Sequence, residues 1–180
     1  MKLKRKVVKI LSILLSLIIF LSISILIFEV TISSKYSKIV KSECQKYNLD
    51  YIMVLSLIKT ESNFNKNAKS NKNAIGLMQI KDETAIYVSK LYDIKYDDLY
   101  NVNSNVQLGV AYLDYLTKKF KYEDLVLCSY NAGEGAVSKW IEKGYIVDGK
   151  IKYVPYSETK NYLLKIKKLK NFYTIFYKTP

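Results

Sequence analysis

The sequence predicts a mainly α-helical domain that carries one small β-hairpin and is preceded by a membrane-spanning helix. Apolar residues recur at helical spacing in five segments after residue 46, and no long alternating strand pattern or internal repeat is visible. The run from Ile10 to Phe28 holds only Ile, Leu, Phe and Ser, without a charge. These observations separate an N-terminal appendage from one compact helical domain.

The N-terminal run is long enough to cross a membrane. A helix of its 19 residues spans about 28 Å, close to the roughly 30 Å of a bilayer core. Five basic residues precede it: Lys2, Lys4, Arg5, Lys6 and Lys9. Because basic flanks stay on the cytoplasmic side, we expect residues 1–9 to be a cytoplasmic stub, residues 10–30 an anchor, and the remainder to lie outside the membrane.

A cleaved signal peptide has the same order of charges and is the alternative for this segment. The apolar run is longer than a usual signal core, and no small-x-small cleavage site follows it, so a retained anchor is favoured. The Lys- and Ser-rich residues 31–45 are predicted to form a stalk. Residues 46–180 are then the predicted folded domain.

The predicted elements of this domain follow from capping residues and apolar spacing. Five helices are expected, capped by Asn48 or Asp50, by Asp82, and by Asn103 or Ser104, with the last two starting near Glu123 and near Ser157. The apolar positions of the first three are Ile52, Leu55 and Ile58, then Ala85, Val88 and Leu91, and then Val106, Val110 and Leu113. The Asn-rich residues 63–73 are expected to form a loop. Residues 145–153 are expected to form a hairpin that turns at Asp148-Gly149.

Composition narrows the chemistry that this chain can perform. The sequence contains no histidine, which removes Ser-His-Asp and Cys-His catalysis and nearly all catalytic zinc sites. Cys44 and Cys128 are the only cysteines, and they either pair or are two buried thiols. The carboxylates of Asp and Glu are therefore the remaining candidates for catalysis.

The formal net charge of +13 points to an anionic partner. Because the basic part is expected outside the membrane, anionic polymers of the cell envelope and lipid headgroups are favoured over nucleic acid. The alternative is that lysine only fills solvated positions.

Glu61 is the carboxylate with the most informative position. It follows Ile58 by three residues and Val54 by seven, so it continues the buried stripe of the first helix. Burial disfavours the charged form and raises the pKa, as a general acid near neutral pH requires. The alternative is a last-turn residue that points to solvent.

Four segments around Glu61 resemble a known family. They read Glu61-Ser-Asn-Phe, Ala74-Ile-Gly-Leu-Met-Gln-Ile, Ser129-Tyr-Asn-Ala-Gly and Tyr153-Val-Pro-Tyr-Ser-Glu-Thr-Lys-Asn-Tyr. In this order and at these spacings the chain resembles the soluble-type lytic transglycosylases of the lysozyme-like superfamily, over roughly residues 42–170. The resemblance implies a lysozyme-like helical fold.

The resemblance also implies the roles of individual residues. Glu61 corresponds to the catalytic acid/base, and Glu158 and Thr159 to residues that support the groove. The implied substrate-binding residues are Ser70, Gly76, Met78, Gln79, Tyr130, Asn131 and Tyr162. No metal and no cofactor are implied. Physically, Gly76 would let the backbone approach a sugar. Met78 could pack on the apolar face of a pyranose, and the alternative is that it fills the core.

The implied activity is cleavage of the bond between N-acetylmuramic acid (MurNAc) and N-acetylglucosamine (GlcNAc) in peptidoglycan strands. The sugar's own 6-hydroxyl would then form a 1,6-anhydro ring. The alternatives are a hydrolytic muramidase, with Asp82, Glu83 or Glu158 as its second carboxylate, and a non-catalytic glycan-binding subunit of an envelope machine.

The chain departs from the family pattern at Asn73, where the family has glycine. Asparagine tolerates the left-handed conformation next best, so we expect the loop to keep its shape.

Overall fold

The computed structural model describes residues 2–177, with side chains from residue 5 onward. Met1, at the start of the predicted basic stub, and residues 178–180 of the predicted domain lie outside the described residues. The described chain contains seven helices and two short strands: α1 (Lys2–Lys46), α2 (Tyr51–Ser62), α3 (Asp82–Tyr92), α4 (Val102–Phe120), α5 (Glu123–Ala132), α6 (Glu134–Glu142), β1 (Ile146–Val147), β2 (Lys150–Ile151) and α7 (Ser157–Tyr177). The mainly helical class with a small hairpin is confirmed.

The chain divides into two units, with the boundary between Tyr36 and Ser37. In the first unit the helix is long and apolar enough to cross a membrane by length and composition. Its apolar side chains face outward, Phe20 being 70% exposed. A core helix of a soluble protein would bury such a surface.

The second unit begins earlier than residue 46, where the sequence places the start of the domain. Val40 and Cys44 are buried, so this part of the predicted stalk contributes to the hydrophobic core. The core is centred on α2, whose residues 52–58 are all buried. Helix α7 packs along α2, and α5 packs against α4, α6 and α7.

Both cysteine thiols are free and buried, which is the second of the two alternatives. Burial raises the pKa of Cys44 and of Cys128 to about 12.

The helix starts confirm some of the predicted caps and correct others. Asp50 caps α2, where its side chain accepts a hydrogen bond from the Ile52 N–H. The expected caps of α3 and α4 are wrong. Asp82 is the first residue of α3, where its charge suits the positive end of the helix dipole. Asn101 caps α4 because its amide oxygen accepts from two orphan N–H groups, those of residues 103 and 104.

The hairpin is confirmed, and one helix was missed. Ile146 pairs with Ile151 and Val147 with Lys150, around a turn in which Asp148 and Gly149 both have positive φ. Helix α6 has a strong apolar side, but it follows α5 after the single residue Gly133. That glycine adopts φ +87° and ψ 144°, which ends one helix and starts the next.

Candidate active site

Glu61 lies in the last turn of α2, at the wall of a groove with a volume of about 570 Å³. The helix ends directly after it, because Asn63 adopts a left-handed conformation (φ 53°) and its N–H bonds to the Lys59 carbonyl. Glu61 is half-buried. The prediction that it continues the buried face of its helix, and does not point to solvent, is therefore confirmed.

The surroundings of Glu61 bring the pKa of its carboxyl to about 7. Burial is the main cause, and the negative charge of Glu158 acts in the same direction. The Tyr162 hydroxyl donates a hydrogen bond of 2.7 Å to Glu61 Oε1 and opposes the rise, as does the charge of Lys165. Near neutral pH both protonation states are populated, so the carboxyl can donate a proton and take one back.

The loop between α2 and α3 forms one wall of the groove. Ser70 lines it, and its hydroxyl oxygen accepts from the N–H groups of Lys72 and Ala74. The hydroxyl proton is then free to point towards a ligand. Asn73 adopts the left-handed conformation with φ 58°, as expected for the position where the family has glycine.

Gly76 does not face the groove, which corrects the expectation that it lets the backbone approach a sugar. It is buried with φ +79°, and an added Cβ would collide with the side chain of Asn105 and the carbonyl of Leu99. The glycine is needed for packing inside the domain.

Met78 also lies inside the domain and does not present its side chain to a sugar. It is fully buried and packs so closely over Gly109 of α4 that no Cβ would fit there. Its backbone contributes instead, since the Met78 carbonyl accepts a 2.7 Å hydrogen bond from the Tyr130 hydroxyl. Met78 therefore positions the opposite wall.

Asn105 is a structural residue that the sequence analysis missed. Its side chain is buried, accepts from the Met78 N–H at 2.8 Å, and donates to the carbonyls of Ile75 (2.9 Å) and Leu99 (2.8 Å). A polar residue on an apolar helix face was the available signal. These three bonds tie the loop to α4.

Gln79 is held in the groove by its own loop. Its φ of 51° turns the backbone, and its Nε2 donates to the carbonyls of Ala68 and Gly76. The side-chain oxygen bonds to none of the described residues and is available to a ligand.

The opposite wall comes from α5 and α7. Tyr130 and Asn131 line the groove, as expected, and Asn131 Oδ1 accepts a 2.7 Å hydrogen bond from the Thr159 hydroxyl. Thr159 is buried behind this wall, while Glu158 is exposed at the groove. The bond joins the two helices that carry Asn131 and Tyr162.

The predicted site residues thus divide into three groups. Those that line the groove are Glu61, Ser70, Gln79, Tyr130, Asn131 and Glu158. Tyr162 and Thr159 reach the site through hydrogen bonds, and Gly76 and Met78 support it from inside. The groove residues that sequence analysis missed are Asn71, Lys72, Ala74, Ile80, Lys81, Thr84, Tyr112, Ala132 and Gly133. Tyr112 lies off the apolar stripe of α4, so periodicity carries no signal for it.

Among the residues described, no group of three or more His, Cys, Asp or Glu side chains is arranged to hold a metal ion. Of the three carboxylates that hydrolysis could use, only Glu158 lines the groove.

Comparisons with known proteins agree with this geometry. Membrane-bound lytic murein transglycosylase C of Haemophilus influenzae (strain PittEE) is 30% identical over 163 residues, which covers 74% of this chain and 45% of that protein. The crystal structure of the 70-kDa soluble lytic transglycosylase SLT70 from Escherichia coli matches with a TM-score of 0.72 at 26% identity. A structure of lytic transglycosylase Slt from Pseudomonas aeruginosa, solved as an inactive mutant with a glutamate replaced by glutamine, matches with the same TM-score and identity.

Both structures cover 78% of this chain, but the chain covers only 24% of each of them. It thus spans less than half the length of these relatives. The family profile of the transglycosylase SLT domain matches residues 38–152, which is more than half of the chain. With its helical fold, its groove and the glutamate at the end of α2, this chain belongs to the transglycosylase SLT domain family.

Proposed function

We propose that this chain is a membrane-anchored peptidoglycan lytic transglycosylase in which Glu61 is the catalytic acid/base. The observation that most strongly supports this proposal is the carboxyl group of Glu61, which has a pKa of about 7 and lies in the wall of a groove. Polar groups suited to hydroxyl and acetamido groups surround it, namely Ser70, Gln79 and Asn131. The membership of the family and the names of the relatives support the same activity.

The reaction needs one carboxyl because that group is used twice. Protonated Glu61 gives its proton to the oxygen between MurNAc and GlcNAc, and the C1–O bond breaks. The Glu61 carboxylate then takes the proton of the MurNAc 6-hydroxyl, whose oxygen forms the new bond to C1. The acid is regenerated and no water is consumed. An internal nucleophile has a high effective concentration.

Neighbouring residues keep this carboxyl in place. The Tyr162 hydroxyl holds Oε1 at 2.7 Å and leaves Oε2 for the glycosidic oxygen. The amides of Gln79 and Asn131 are the proposed contacts to the sugar, since each keeps a polar atom that bonds to none of the described residues.

We further propose that residues 10–30 anchor the chain, with residues 1–9 in the cytoplasm and the groove outside the membrane. The length of the apolar helix and the basic residues before it support this orientation. Peptidoglycan strands, and anionic wall polymers for the basic surface, are the proposed partners. Protease treatment of intact cells and of lysed cells tests this topology, and the mass of the membrane-extracted chain tests whether the anchor is retained.

Digestion of purified peptidoglycan by the full chain in detergent, with product masses, tests the activity. We expect 1,6-anhydro-MurNAc ends from the wild type and near-complete loss in Glu61→Gln. Glu142→Gln is the matched control, because Glu142 is exposed on α6 and does not line the groove. Its activity should be normal.

Products heavier by one water would contradict the proposal and favour a muramidase. In that case Glu158 is the carboxylate to replace, since it lines the groove near Glu61. Binding of glycan without any cleavage would favour a non-catalytic subunit.

A further inference from the structure

Two tyrosines lie one helical turn beyond residues that line the groove. Thr84 on α3 lines the groove, and Tyr87 follows it by three residues. Tyr112 on α4 lines the groove, and Tyr115 follows it by three. Residues three apart share a helix face, so both helices carry an aromatic ring onward from the groove. The rings of Tyr87 and Tyr115 meet edge to face, with centroids 5.3 Å apart.

These rings form a continuous row with the aromatic wall of the groove. The rings of Tyr115 and Tyr112 are nearly parallel (13°) at 6.2 Å, and Tyr112 lies 5.4 Å from Tyr130. At the outer end Tyr87 is 45% exposed. The row therefore runs from beside the catalytic carboxyl to an aromatic surface that is open to solvent.

A carboxylate stands beside the outer part of this row. Glu134 begins α6 directly after the groove residue Gly133, and its Oε2 accepts 2.8 Å hydrogen bonds from the Tyr115 hydroxyl and from Lys119 Nζ. Burial alone would raise the pKa of Glu134, but these two bonds outweigh it and lower the pKa, so the group stays ionised. Its side chain is 37% exposed, and Oε1 bonds to none of the described residues.

We propose that Tyr87, Tyr115 and Glu134, which we call the outer subsite, bind an additional N-acetylated sugar ring of a glycan strand. An exposed aromatic face accommodates the apolar side of a pyranose, and a carboxylate oxygen accepts from its hydroxyl or acetamido N–H group. Because the outer subsite lies a helical turn beyond the groove, only strands long enough to reach it gain this contact. This inference rests on the proposed function for the identity of the ligand as a glycan strand.

Binding measured without turnover tests the outer subsite. The full chain carrying Glu61→Gln, in detergent, is titrated with peptide-free glycan strands separated into short and long classes. We expect Tyr87→Ala in this background to weaken the binding of long strands by about tenfold, as for the loss of one aromatic anchor. The binding of short strands should not change. Tyr87→Phe should bind as the parent does.

Two further variants separate a sugar contact from a packing effect. Ile86→Ala is the matched control, since Ile86 is the adjacent α3 residue and is similarly exposed (49%); it should leave both strand classes unaffected. Glu134→Gln should selectively weaken the binding of long strands. This variant provides a second test of the outer subsite if Tyr87→Ala does not fold.

An equal loss for short and long strands, or unchanged binding of long strands by both Tyr87→Ala and Glu134→Gln, would overturn the inference. Failure of the proposed activity is a separate outcome. A wild type that cleaves nothing, while the length-selective losses persist, would refute the lytic transglycosylase and leave the outer subsite standing.

Discussion

Removing the Tyr162 hydroxyl tests how the groove sets the pKa of Glu61, the proposed acid/base. The hydroxyl donates to Glu61 Oε1 at 2.7 Å, and Glu61 makes no other side-chain hydrogen bond with the described residues. A hydrogen bond to an ionised group stabilises that form, so it holds the pKa of Glu61 below the value that burial alone would give. Tyr162→Phe removes this bond and leaves the ring in the core.

The size of the effect follows from the strength of such a bond. A buried hydrogen bond to a charged group contributes roughly 1.5–3 kcal/mol, and one pKa unit corresponds to about 1.4 kcal/mol. The pKa of Glu61 in Tyr162→Phe should therefore rise from about 7 by about one to two units. Since the proposed reaction starts from protonated Glu61, the alkaline limb of the profile of kcat/KM against pH should move to higher pH by that amount.

The assay is release of anhydro ends across a pH series, with the parent chain measured in the same buffers. Tyr130→Phe is the matched control, because the Tyr130 hydroxyl donates to the Met78 carbonyl and not to Glu61. The alkaline limb of this variant should stay in place even if its rate falls. An alkaline limb that stays in place in Tyr162→Phe, or that moves to lower pH, would refute the reasoning.

Two further predictions concern stability. Because the pKa of Glu61 is raised from 4.5 to about 7, the folded chain holds this proton more tightly than the unfolded chain. The unfolding free energy should fall as pH rises from about 4.5 to about 7, by on the order of 2 kcal/mol. Glu61→Gln should lack this component in denaturant titrations at several pH values, and an identical pH dependence in both chains would contradict the shift. Asn105→Ala leaves the Met78 N–H and two carbonyls without their partner, so it should lower the unfolding free energy by about 2–4 kcal/mol and the cleavage rate as well. Asn103→Ala, near the cap of α4, is its control. An equal loss of unfolding free energy in the two variants would contradict the role of Asn105.

The sequence predicted the helices that carry a plain amphipathic signal. The cap of α2 at Asp50 and the hairpin at Asp148-Gly149 follow from local rules, because a cap and a tight turn satisfy the backbone within a few residues. Helix α6 was missed because these local rules do not predict its start. Gly133 separates α5 from α6 by one residue, and neither composition nor spacing distinguishes that break from a continuous turn.

The sequence also predicted only part of the candidate site, because it does not show which residues of a motif pack inside the domain. Glu61 and Tyr130, which are proposed to act through their own side chains, were expected at the groove and line it. Gly76 and Met78 belong to the same motif, but they act by fitting against Asn105 and Gly109 on α4. A motif shows which residues occur together and does not show which of them face inward.

Sequence alone determined the apolar N-terminal helix, the helical class of the domain and which carboxyl is proposed as the acid. Each depends on a local property: length, periodicity or residue type. Tertiary structure decided the pKa of that carboxyl. The pKa of Glu61 depends on burial against α7, the hydroxyl of Tyr162 a hundred residues later and the charge of Glu158. Solvation and electrostatics act through space, so only the assembled fold brings these groups within reach of one another.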